Sequence, residues 1–220
     1  MLNQGARAGI PVINQLVRRD VAILVAADGE GLTELSTGLV DSVRDRGNTG
    51  PMIVSTIAAG PDDWSAVRDI RLRALQTEPL AYCSSYPAER SLTEQDWQER
   101  LATARTFLAV DDTQLVVGSV TARWLRNGDM QLNAMYVAPN ARGTGCAEAL
   151  IEEVVVLTRA RRGHRVVLGV LERNSRAQRC YQRFGFVATG RRGGTPYGPD
   201  TEIEYAYPVT NGTGDVSPRG

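Results

Sequence analysis

Residues 130–186 constrain this chain more than any other stretch, because their side-chain pattern runs strand, glycine turn, helix, strand, helix without a break. Residues 130–137 are apolar and aromatic enough for a strand, and Ala138, Pro139 and Asn140 end it. The run Arg142, Gly143, Thr144, Gly145, Cys146, Ala147 follows. Behind it, Ala147, Leu150, Ile151, Val154 and Val155 recur at the i, i+3, i+4, i+7, i+8 spacing of a helix that buries one face. The glycines therefore stand where a strand turns into a helix. The first amides of a helix lack intrahelical acceptors and its N-terminus carries partial positive charge, so this turn is suited to a phosphate group. Gly143 and Gly145 let backbone come close, and Arg142 adds a fixed positive charge.

Two common nucleotide-binding turns do not match. The dinucleotide pattern G-x-G-x-x-G/A requires Gly or Ala where this chain has Glu148, and the P-loop requires a Lys in a chain that has none. Further on, Arg161, Arg162 and Gly163 end the first helix, and residues 165–171 read as a buried strand. Asn174 and Ser175 are natural caps for a second helix, which carries Ala177 and Tyr181 and stops at Gly185. Two motifs thus stand in order: R-x-x-G-x-A at Arg142, Gly145 and Ala147, and N-x-x-A-x-x-x-Y-x-x-x-G-F at Asn174, Ala177, Tyr181, Gly185 and Phe186. Together they resemble the GNAT superfamily of acyl-CoA-dependent N-acetyltransferases.

The resemblance covers about residues 52–209, and what it implies is specific. The fold is α/β (α+β), a mixed, mostly antiparallel sheet of six or seven strands with helices on both faces. Acetyl-CoA is the co-substrate, with no metal. Its pyrophosphate is gripped by Arg142, Gly143, Thr144, Gly145, Cys146 and Ala147, with Asn174 and Ala177 from the second motif. The pantetheine arm lies in a V-shaped gap between the strands at 131–137 and 166–171, bonded to the backbone of Met135, Tyr136 and Val137. Tyr181 is the general acid toward the departing sulfur, and an amide near Met135 faces the charge that develops on the acyl oxygen. The acceptor is a primary amine of a small molecule or peptide, which attacks the thioester directly in a ternary complex. Tyr82, Ser84, Ser85 and Tyr86 are acceptor-site candidates by position, with Gln131 on the central strand. Many relatives carry Glu where Gln131 stands, and a neutral amide takes no proton at pH 7. Glu89 is therefore the candidate base, directly or through water, unless the acceptor is a weakly basic amine; the alternative is a non-catalytic acyl-CoA-binding or regulatory module.

The remainder fits one domain with additions. A first strand is expected at 52–57, and Gly60, Pro61, Asp62 and Asp63 start a helix with Trp64, Val67, Ile70 and Ala74 on one face. Pro79 stops it, residues 81–89 form a connection, and Ser91 to Glu94 reads as the capping box of a helix bearing Trp97 and Leu101. Strands follow at 106–110 and 115–125, and two more at 187–189 and 202–207. Residues 1–51 are an extension in which 21–27 suits a strand, too short to span a membrane, and 32–44 a helix. An extra half-unit, a dimer-forming arm and a start codon set too early all fit it. Residues 210–220 have the composition of a flexible tail.

Charge and cysteine usage narrow the classes. Residues 142–192 carry eleven Arg against four Glu, so this stretch is strongly basic and the rest of a neutral chain equally acidic. No nucleic-acid motif accompanies the arginines, and a ligand with several phosphates accounts for them. Cys83, Cys146 and Cys180 are odd in number and unpaired in spacing, which suits a reducing, cytoplasmic location. Cys146 is expected beneath the turn as a small apolar residue rather than as a reactive thiol, and His164 in a solvated loop. A soluble monomer or homodimer, without membrane or nucleic-acid partners, is the expected form.

Overall fold

The computed structural model describes residues 53–194 and 200–209. The extension, with its expected strand and helix, and the tail lie outside the described residues. The sheet has seven strands, β1 (Val54–Ala59), β2 (Arg105–Asp111), β3 (Val116–Trp124), β4 (Met130–Val137), β5 (Arg165–Leu171), β6 (Val187–Gly194) and β7 (Thr201–Pro208). Their order is β1-β2-β3-β4-β5-β7-β6, and every neighbouring pair is antiparallel except β4 and β5.

Burial along the strands shows where the layers lie. Residues 106–111 and 116–120 are all buried, without the alternation of a half-exposed sheet. Such strands need cover on both faces. The helices α1 (Trp64–Thr77) and α3 (Glu94–Thr103) supply it on one side, and α4 (Cys146–Ala160) on the other. The stripe expected on α4 is the buried one: Leu150, Ile151, Val154 and Val155 are at most 1% exposed.

The chain departs from expectation in three places. Residues 86–90 form a short helix, α2 (Tyr86–Arg90), inside the expected connection, with Ser85 as its cap. The capping box of α3 is built by Thr93 and Asp96 rather than from Ser91. Thr93 has the extended backbone that a cap requires, at φ −77° and ψ 168°, whereas Ser91 continues the end of α2 at φ −80° and ψ −6°. The strand expected at 187–189 runs on to Gly194 as the exposed edge of the sheet.

One irregularity opens the site. Between Ser119 and Thr121 of β3 the partners on β4 move from Tyr136 to Asn133, so β4 carries one extra residue. Ala134 takes a positive φ of 51° within it. A bulge of this kind bends the strand that contains it. β4 accordingly pairs with β5 only through Met130 with Val166 and Gln131 with Val167, after which the two strands separate. Beyond β5, α5 (Ser175–Phe184) packs its aromatic end against β7, with the Phe184 and Tyr207 rings 5.3 Å apart.

Candidate active site

The split between β4 and β5 is a cleft of about 800 Å³, within the range of small-molecule sites. Residues 132–137 form one wall and 169–171 the other. The glycine turn lies at one end, and α5 flanks the cleft with Asn174, Ala177 and Tyr181.

At the turn, Gly143 and Gly145 have φ of 79° and 85°, a left-handed conformation in which a side chain is strained. No atom lies within 4 Å of where a Cβ on Gly143 would be. Gly145 begins α4 without a side-chain cap, leaving the first amides of a fifteen-residue helix to an outside acceptor. Arg142 and Arg176 converge above the turn on the same oxygen of Glu78, each at 2.8 Å. That oxygen occupies the position of an anion between two guanidiniums. Burial pulls the Glu78 pKa upward, but its bonds to Arg176 and Arg142 outweigh this and hold it below the ordinary carboxylate value. Arg142 also donates to the Val137 carbonyl at 3.1 Å.

Tyr181 is placed by the end of its own helix. The Phe186 amide reaches back to the Tyr181 carbonyl at 3.0 Å and the Gly185 amide to the Gln182 carbonyl at 3.1 Å. These are the paired bonds of a Schellman ending, in which the residue beyond the glycine packs on the one that accepts its amide. Here the two are aromatic rings, edge to face with centroids 5.6 Å apart. Burial, then the nearby Cys180 and Tyr82, raises the Tyr181 pKa far above that of a free phenol. Facing it across the cleft from the α1–α2 loop is Tyr82, whose hydroxyl donates to the Met135 carbonyl at 3.0 Å and whose ring lies 4.7 Å from the Arg71 guanidinium.

The model of the acetyltransferase (GNAT) family matches residues 64–186, more than half of the chain. The chain belongs to the GNAT acetyltransferase family. It is 41% identical over 64 residues to uncharacterized N-acetyltransferases of Mycobacterium tuberculosis and Mycobacterium bovis, an alignment covering 29% of this chain and 41% of each relative. Among solved structures, a GNAT acetyltransferase of Streptococcus pneumoniae superposes with a TM-score of 0.60 at 19% identity, covering 71% of this chain and 99% of that one. An N-acetyltransferase of Staphylococcus aureus gives 0.58 at 19% identity with the same coverage. At that identity the likeness is one of fold.

Within this member of the GNAT family, most of the residues expected to hold the cofactor come together. Met135, Tyr136, Val137, Arg142, Gly143, Gly145, Ala147, Asn174 and Ala177 all line the cleft. Thr144 and Cys146 do not: the Thr144 hydroxyl donates to the Ala141 carbonyl at 2.8 Å, and Cys146 is packed beneath the turn with 1% exposure. Burial, with a smaller push from Glu148, raises the Cys146 thiol to about 12, so it is a packing residue rather than a nucleophile. His164 is exposed, past the end of α4.

The acceptor-side candidates divide. Tyr82 lines the cleft, whereas Ser84, Ser85, Tyr86 and Gln131 are not part of its wall. Ser85 is occupied as the cap of α2, and Gln131 accepts from Arg123 at 2.9 Å. Glu89 is misplaced for a base. It is 4% exposed, and its two oxygens accept from Arg71 at 2.7–3.2 Å and from Arg100 at 3.1 Å. Burial pulls its pKa up, but Arg71, Ser84 and Arg100 bring it below the ordinary value, leaving a weak base that is not part of the cleft wall. It serves instead to hold Arg71 beneath Tyr82. Sequence reasoning passed over Arg71, Cys83, Gly169, Arg176 and Glu202, all of which line the cleft. Only Gly169 carried a local signal, since a glycine inside a buried strand marks a close approach.

Proposed function

We propose that the protein transfers an acetyl group from acetyl-CoA to a primary amine of a small molecule or peptide, the amine attacking directly while both substrates are bound. The observation that carries this reading is the continuity of the cleft from the glycine turn to Tyr181. An anion site and a buried proton donor lie along one channel between two separating strands.

The residues present fit coenzyme A. Arg142, Arg176 and the first amides of α4 would hold its diphosphate, in the place where the Glu78 carboxylate now satisfies both guanidiniums. The backbone of 135–137 would pair with the pantetheine arm in the manner of an added strand. Acetyl-CoA supplies an acyl thioester that an uncharged amine attacks without further activation. Tyr181 keeps its proton across the working pH range because burial disfavours the phenolate, and it donates toward the sulfur as the carbon–sulfur bond breaks.

The test is release of thiol from acetyl-CoA across a panel of α-amino acids, polyamines, aminoglycosides and peptide N-termini, with wild type beside Tyr181→Phe. Turnover on one class is expected, reduced about 10²- to 10⁴-fold by the substitution, as for loss of a general acid. Coenzyme A should raise the Tm of both proteins. Silence across the panel with that stabilisation would favour an acyl-CoA-binding module, and silence without it would overturn the cofactor assignment.

A further inference from the structure

The cleft is walled by three carboxylates, and two of them are already neutralised. Glu78 carries Arg142 and Arg176, and Glu148 faces Arg183 at 3.9 Å. Glu202, on β7, has no arginine within ion-pair distance among the described residues. Among the described residues its side chain has one hydrogen bond, from the Cys83 thiol, which donates to Oε1 at 3.4 Å. The other oxygen lies over Gly169 of β5. A Cβ added at Gly169 would stand 2.8 Å from Oε2 and 3.1 Å from the carboxyl carbon, so the carboxylate would have to swing aside. Gly169 therefore leaves room for the carboxylate of the neighbouring strand in its present position, where both residues line the wall with Tyr181 and Cys83.

We infer that Glu202 receives the ammonium of the acceptor and takes its proton, making the substrate a cationic amine; this rests on the acetyl-transfer reading above. A half-buried carboxylate without a cation is an unfavourable arrangement that a bound ammonium relieves. The proton must also leave before attack. A lysine-type amine with a pKa of about 10.4 is uncharged at pH 7 in only about one molecule in 2,500. The ammonium passes a proton to Glu202, and the freed nitrogen lone pair forms the bond to the acyl carbon as the carbon–sulfur bond breaks. Tyr181 protonates the sulfur, and the second amine proton makes good the phenol. Glu202 returns its proton to water, so one proton is released per turnover. The titratable group in contact with Glu202 is Cys83 from the α1–α2 loop, which the Arg173–Asp200 pair also reaches, and Tyr181 from α5 lines the same cleft. Burial, then its bond to Glu202, pushes Cys83 up to about 11, so that thiol stays a donor and does not compete for the proton at neutral pH.

The experiment compares wild type, Glu202→Gln and Gly169→Ala with 1,3-diaminopropane and an alanine-initiated tripeptide as cationic acceptors, and with hydroxylamine as an acceptor already uncharged at neutral pH. Glu202→Gln should lose about 10²- to 10³-fold in kcat/KM on the cationic acceptors. That loss should exceed the loss on hydroxylamine at least thirtyfold, and the residual rate should climb steadily with pH. Gly169→Ala keeps the carboxylate but displaces it, so the same pattern should recur in weaker form. Both variants should still be stabilised by coenzyme A, which shows that they fold. Equal losses on charged and uncharged acceptors, or a wild-type pH profile in Glu202→Gln, would overturn the assignment alone. Wild type inactive with hydroxylamine and not stabilised by coenzyme A would overturn the transfer reading, and the assignment with it.

Discussion

Glu89 and Glu202 are the two carboxylates weighed as the base, and their partners separate them. Glu89 is buried and bound on both oxygens by Arg71 and Arg100, so removing its charge leaves the inner guanidinium of Arg71 without a counter-ion. Glu89→Gln should cost about 3 kcal/mol, near the lower end for a broken buried pair because Arg100 is half exposed. The pH dependence has a definite sign. The folded pKa of Glu89 lies below its unfolded value of about 4.3, so its contribution is present above that pH and fades as pH falls through the folded pKa. Urea unfolding at pH 7 should show the full difference between wild type and variant, and unfolding near pH 3 a smaller one. A difference that grows on acidification would contradict this account.

At the scale of single elements, α4 is an ordinary amphipathic helix with an unusual start. Gly145→Ala forces a side chain into φ 85° and should cost about 1–2 kcal/mol of stability. The same backbone strain is available elsewhere as a control, because Gly190 on the exposed edge strand has φ 84° and open space around it. Both alanine variants should lose stability by similar amounts in thermal unfolding. Only Gly145→Ala should also weaken coenzyme A binding, by tenfold or more in a titration, since only that turn faces the cleft.

Taken whole, the molecule is a sheet joined across its middle by two residue pairs, with the cleft occupying the rest of the seam. A ligand lying between β4 and β5 bridges the two halves. Saturation at 100 times Kd should add about 2.7 kcal/mol to stability. Hydrogen exchange should show where: amides at 133–137 and 169–171 should slow on binding, while those of β1 and β2, already paired, should change little. The charge asymmetry also resolves at this scale. Of the arginines between 142 and 192, Arg142 and Arg176 pair with Glu78, Arg165 with Asp129, Arg173 with Asp200, Arg191 with Glu204 and Arg192 with Glu172. Among the described residues, five of the eleven arginines of this segment thus pair with carboxylates outside it, and Arg192 with Glu172 inside it. Among the described residues no helix is long and apolar enough to cross a membrane.

By itself the sequence determined what is written in short range: the helix stripe of α4, its glycine start, the Asn174 cap and the Gly185–Phe186 ending that orients Tyr181. Each depends on residues a few positions apart, where backbone geometry and periodicity act directly. Only the tertiary structure separated the two carboxylates proposed as the base. Glu89 was close enough in sequence to be nominated, but its burial and its two guanidiniums come from α1 and α3, 18 and 11 residues away. Glu202 and Gly169 lie on different strands and meet only because β5 and β7 are neighbours in the sheet. A carboxylate's availability depends on which cations reach it and how far water is excluded. Those are properties of the packed chain, and no local pattern encodes them.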